Sequence, residues 1–147
     1  MLSFDTNVLV YAADRQAGDR HEKSAKLLSA AISRDVALND QSLVEFTHVM
    51  TRKQKLSLSD TAVMVRAWLN NFALITAPAT IIEDTLSLLS SYRLSTWDAH
   101  MLAICDAHGC DILLSEDLTD GALYSGVRVL NPFNPHNTPT IGNLLLP

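Results

Sequence analysis

The sequence predicts an α/β/α sandwich built on a mostly parallel sheet, and three observations lead there. Short branched or apolar runs alternate with longer stretches whose apolar residues recur every three or four positions. Strands separated by helices need crossover connections, which makes neighbouring strands parallel and puts helices on both faces of the sheet. A chain of 147 residues, 48% hydrophobic and 18% charged, has apolar side chains enough for one ordinary core.

Taken in order, "LSF" begins the first strand, which ends at Asp5. Ala25, Leu28 and Ile32 share the helical period that follows. "VAL" is the second strand, and "SLVEFTHVM" opens the next helix. Val65, Leu69 and Phe72 mark another helical face, and "ALIT" a third strand. Ile82, Leu86 and Leu89 are expected to be the buried face of a further helix. "STWDAHMLAICDAHG" then leads into the strand "DILLS", and "VRVLNP" closes the sheet after the turn-rich "TDGALYSG". Residues 1–134 are expected to form one domain. Residues 135–147 are expected to be a tail that wraps the surface or is disordered, because the chain beyond Pro132 is rich in Pro and Asn and lacks a clear period. No repeat or linker divides the chain.

The N-terminal apolar run contains Asp5 and has no basic leader before it, so it fits neither a signal peptide nor a membrane span, and a cytoplasmic location is expected. Cys105 and Cys110 lie in or beside a helical pattern without metal-ligand spacing, and read as small core residues. A net charge of -5 argues against binding nucleic acid through a general basic surface. It leaves open phosphate chemistry in which acids collect cations and the cations meet the phosphate.

In a parallel α/β sheet the strand C-termini and helix N-termini share one edge, where ligands bind. Asp5 ends the first strand, Glu45 follows the second, Asp98 begins a helix, and Asp117 follows "DILLS". Topology thus brings four carboxylates to one edge. Like charges in proximity raise one another's pKa, and a divalent cation removes the conflict. Oxygen donors without a His or Cys cluster suit Mg²⁺ or Mn²⁺ rather than zinc. Each acid also has an ordinary structural reading. Ser42 with Glu45 and Ser95 with Asp98 have capping-box spacing, Asp5 suits an N-cap, and Asp117 a turn. Their joint placement favours a site.

"FDTNVLVYAAD", "LVEF", "TWDAHMLAIC" and "ILLSEDLTDG" resemble, in order and spacing, the PIN-domain nucleases, especially the VapC-type toxins, over nearly the whole chain to about Pro132. The resemblance implies a metal-dependent endoribonuclease held inactive by a cognate antitoxin and expected to form a homodimer. Asp5, Glu45, Asp98 and Asp117 would be its acidic quartet, catalytic and metal-binding at once. Thr6 and Asn7 match the polar pair after the first acid, and Ser115 the hydroxyl position before the last, in supporting roles. Mg²⁺ or Mn²⁺ would activate a water to attack the RNA phosphodiester, leaving 5′-phosphate and 3′-hydroxyl ends. Asp5 and Asp98 lead as direct ligands. His100 stands where the pattern often has an aromatic, and Asp120 adds an acid that either binds through water or turns with Gly121.

The basic run "TRKQK", residues 51–55, either tracks an RNA backbone or caps a helix C-terminus. Arg15, Arg20, Lys23 and Lys26 read as a solvated face before a phosphate-contacting one, His48 and His100 as packing residues before proton-transfer groups, and Trp68, Trp97 and Tyr92 as core or interface aromatics before base-stacking platforms. Apolar faces in residues 44–50 and 63–72 are candidates for a partner helix. Competing functions are weaker. A phosphoacceptor receiver needs a late Lys, and none follows Lys55; an aspartyl phosphatase needs an acid where Asn7 stands. A PIN fold that has lost catalysis and serves as an interaction or regulatory module is the remaining alternative.

Overall fold

The computed structural model describes residues 1–145, and the last two residues of the expected tail lie outside that range. Five strands run parallel: β1 (Leu2–Phe4), β2 (Val36–Asn39), β3 (Ala73–Ile75), β4 (Ile112–Leu114) and β6 (Val127–Leu130). β5 (Leu123–Tyr124) joins β6 antiparallel, giving the order β3-β2-β1-β4-β6-β5. The expected strands all form. β5 was not expected, because it is two residues long inside a turn-rich stretch; Ser125, at φ 53°, supplies the left-handed turn that folds it back onto β6.

Alternation along the strands divides the core into two layers. Leu2, Phe4, Leu38 and Leu114 enter one apolar cluster with α1 (Thr6–Ala13), α2 (Asp19–Ala31), α3 (Asp40–Arg52) and α4 (Leu58–Leu69). Ala37, Leu113, Val127 and Val129 enter the other with α5 (Ile81–Ser91) and α6 (Thr96–Ala107). Helices therefore cover both faces. Phe46 of α3 is fully buried and meets Trp68 of α4 edge-on at 4.7 Å between ring centres, which fastens α4 to the first layer.

The buried face of α5 is not the expected one. Ile82 and Leu86 are 61% and 54% exposed, while Ile81, Thr85 and Leu88 face the core. The helix is apolar on both sides, and its buried stripe contains a threonine whose hydroxyl donates to the Ile81 carbonyl at 2.7 Å. Counting apolar residues alone therefore selects the wrong stripe. Ile32 and Leu69 are likewise exposed, the first as the cap beyond α2 and the second at the end of α4.

Beyond the sheet, Asp120 collects the next segment. Its carboxylate accepts from the Asn131 backbone at 2.8 Å and from the side-chain amides of Asn134 at 2.6 Å and Asn137 at 2.7 Å. Gly121 follows at φ 79°, so Asp120 serves a turn and a staple together. A final helix, α7 (Thr138–Leu145), buries Ile141 and Leu145 in the first layer, where it meets α2. Among the described residues no helix is long and apolar enough to cross a membrane.

Candidate active site

The chain builds β1, β2 and β3 outward in one direction, then returns to lay β4 on the other side of β1. Connections leaving β1 and β4 therefore diverge, opening the crevice in which α/β sheets bind ligands. Asp5 leaves β1 at this point, and Ser115 to Asp117 leave β4. The backbone N–H of Asp5 still donates to Leu114 at 3.0 Å, so the two strand ends are in register where the acids emerge.

Asp5 is only 6% exposed. It occupies the N-cap position of α1 without a side-chain cap bond. Its Oδ2 instead accepts from Ser115 Oγ at 2.6 Å. Burial, together with the charges of Asp117 and Asp98, pushes its pKa up to about 6, against the lowering effect of the Ser115 hydroxyl and the Thr6 N–H. Asp117 is raised too, first by desolvation and then by the charges of Glu116 and Asp98. Asn7 Nδ2 donates to Asp117 Oδ2 at 2.5 Å, and Ser115 Oγ accepts from the Asp117 N–H at 3.2 Å. Ser115 thus ties together the ends of β1 and β4.

For Asp98 the N-cap half of the expected capping box forms, and the return bond runs to the Ser95 hydroxyl and not to the Ser95 N–H. Ser95 Oγ accepts from the Asp98 N–H at 3.1 Å and donates to Asp98 Oδ2 at 2.6 Å, at the N-terminus of α6. That cap does not remove it from the site, since its charge acts on both Asp5 and Asp117. For Glu45 the capping box is absent. Asn39 caps α3 by accepting from Gln41 at 3.0 Å, Ser42 is buried against Met101, and Glu45 lies in the helix interior. Its two oxygens accept from Thr6 Oγ1 at 2.8 Å and Gln41 Nε2 at 2.9 Å.

Two supporting residues escaped the sequence reading. Gln41 bridges Glu45 to the Trp97 carbonyl at 3.1 Å, linking α3 to the start of α6; its spacing of four from Glu45 on a helix was the available signal. Asn39, fully buried, reaches the Met101 carbonyl at 3.3 Å while it caps α3. No local pattern marks that second contact. His100 meets Thr85 at 3.2 Å as a packing residue, and Trp97 is 68% exposed beside Asp98.

Among the described residues, none of the four acids makes an ion pair, and no three His, Cys, Asp or Glu side chains already surround one point. Each acid is held by hydroxyls or amides that leave its charge uncompensated. Such an oxygen-only, negatively charged set fits a hard divalent cation, which would offset both the burial and the lesser repulsion that lift Asp5.

The PIN domain family matches residues 3–119. No curated protein sequence matches. Similar solved structures include VapC20 of Mycobacterium tuberculosis, a sarcin-ricin-loop-cleaving toxin: it is 20% identical with a TM-score of 0.63, over 87% of this chain and 99% of that one. A toxin-antitoxin complex from Klebsiella pneumoniae is 24% identical with a TM-score of 0.64, over 90% of this chain and 98% of that one. VapBC2 from Rickettsia felis, bound to a promoter DNA fragment, is 15% identical with a TM-score of 0.63, over 88% and 97%. At these identities the likeness is one of fold.

Proposed function

The chain belongs to the PIN-domain family, and from that membership we propose that it is a Mg²⁺- or Mn²⁺-dependent endoribonuclease, the cytoplasmic toxin of a toxin-antitoxin pair. The observation that carries this reading is the buried Asp5 carboxylate at the sheet's switch point, lifted first by burial and then by the charges of Asp117 and Asp98, and paired with no cation among the described residues. An acid costly to ionise there is explained by an ion that it receives.

Asp5 and Asp98 are the leading direct ligands, with Glu45 and Asp117 completing the shell or holding water. When bound, a divalent cation supplies positive charge against the scissile phosphate and a water of lowered pKa. The chain's own residues supply orientation. Ser115 holds Oδ2 of Asp5, Thr6 and Gln41 grip Glu45, and Asn7 grips Asp117. These grips hold the carboxylates on strand ends and helices, which limits the reorientation required when a substrate phosphate arrives.

The working unit is taken as residues 1–134, onto which the following segment packs through α7. Exposed Val44 on α3 and Val63 on α4 support docking of an antitoxin helix, and a homodimer follows from the family. The test is cleavage of defined transfer and ribosomal RNAs by antitoxin-free protein in Mg²⁺, Mn²⁺ or EDTA, beside Asp5→Asn and Asp98→Asn. Expected is metal-dependent cutting with 5′-phosphate ends, lost in both folded variants. If wild type and variants behave alike, the domain is an interaction module without catalysis.

A further inference from the structure

Between Ser115 and Asp117 stands Glu116, whose carboxylate is fully engaged on the other side. Its Oε1 accepts from the Tyr11 hydroxyl at 2.5 Å. Its Oε2 accepts two bonds from Arg20, at 3.1 Å from Nε and 2.9 Å from Nη2. Glu116 lies in the bend that follows β4, and there its side chain goes to Arg20 while Ser115 reaches Asp5 and Asp117 reaches Asn7. Arg20 is itself seated on two rings: its guanidinium carbon lies 5.6 Å from the centre of Tyr11 and 5.2 Å from that of Phe133. Those rings meet edge-on at 5.5 Å.

We propose that Arg20, seated between Tyr11 and Phe133, is a positioning residue: by holding Glu116 it fixes the turn that presents Asp117 to the acid edge. The inference rests on the nuclease reading of that edge. Three features give Arg20 this role rather than that of a solvated surface charge. It makes the one ion pair between side chains among the described residues, and its partner is immediately next to a site acid. Both oxygens of that partner are occupied by Tyr11 and Arg20, so Glu116 acts on Asp117 through its charge and not as a free carboxylate. Phe133, the outer wall of the seat, lies beyond the 3–119 family match, and Asp120 fixes its segment through Asn131, Asn134 and Asn137. The C-terminal segment of this chain therefore supports the site through Phe133, Arg20 and Glu116 in turn.

The test compares wild type with Arg20→Gln, Arg20→Lys and Phe133→Ala by calorimetric Mn²⁺ binding, by kcat and KM on one RNA, and by melting temperature. Arg20→Gln is expected to melt near wild type yet lose about ten- to hundredfold in Mn²⁺ affinity and kcat, with KM little changed. Arg20→Lys recovers part of the loss, since an ammonium restores charge but not the two-nitrogen grip. Phe133→Ala shifts the same quantities in the same direction. Unchanged Mn²⁺ affinity and kcat in Arg20→Gln overturn the proposal. So does a rise in KM alone that steepens with salt, which would make Arg20 a direct phosphate contact. If wild type binds Mn²⁺ but cuts no RNA, and Arg20→Gln weakens the binding, the nuclease reading fails and the positioning role stands; if wild type does not bind Mn²⁺, both fall.

Discussion

Asp5 shows how one buried carboxylate opposes stability at the candidate site. Its pKa stands at about 6 in the fold against 3.8 ordinarily, with burial the largest cause. Between those values the native chain retains a proton that the unfolded chain has released, so stability from this group grows as pH falls. Above the folded value the whole cost is present, about 3 kcal/mol as an upper bound. Asp5→Asn keeps an acceptor for Ser115 and removes the charge. In metal-free buffer it is expected to be more stable than wild type by about 1–3 kcal/mol at about pH 7.5, the gap closing by about pH 4. Urea titrations across that range check it; a gap independent of pH would show that Asp5 bears no such cost. The approach of Asp5, Asp98 and Asp117 was legible at this scale, since topology brings the end of β1, the start of α6 and the bend after β4 to one sheet edge whatever the rotamers. The engagement of Glu116 was not legible, because Arg20 is 96 residues away in sequence and Tyr11 is 105.

At the scale of elements, β1 to β4 and β6 were readable because branched and apolar runs bounded by turn residues have few alternatives. α5 was readable as a helix but not in orientation. Its two apolar stripes compete, and the choice depends on whether Thr85 can satisfy its hydroxyl inside, which it does through Ile81. The Glu45 helix has the same lesson at its start: "SLVE" offers a plausible capping box, yet Asn39, still in the strand, caps first and moves Glu45 inward to meet Thr6. The orientation of α5 gives a direct prediction. Leu88→Ala, at a position 4% exposed, is expected to cost about 2–5 kcal/mol. Leu86→Ala, two residues earlier on the open face, should stay within about 0.5 kcal/mol unless a second chain covers it. Chemical denaturation of the two variants separates the stripes, and equal losses would contradict the observed packing.

For the whole molecule, the four proposed acids approach one another only when four separate segments are folded: the end of β1, the body of α3, the start of α6 and the turn after β4. An unfolded chain scatters these acids, so a cation that they hold binds the native state almost exclusively, and binding becomes stability. At a hundred times its dissociation constant the gain is about 2.7 kcal/mol. For a domain of this size each kcal/mol is worth about 2–4 °C, so Mn²⁺ is expected to raise the melting temperature by about 5–11 °C. Simple screening works in the same direction, because the chain carries a net charge of -5 and added salt relaxes its self-repulsion. The two effects differ in what they need. Screening follows ionic strength whichever ion supplies it, whereas the linked gain follows the logarithm of Mn²⁺ concentration and depends on particular carboxylates. At matched ionic strength, KCl should therefore reproduce little of the shift, and Asp98→Asn should lose most of it while retaining its response to KCl. A wild-type melting temperature that responds identically to both salts would mean that the four acids, though folded to one edge, do not act together on an ion.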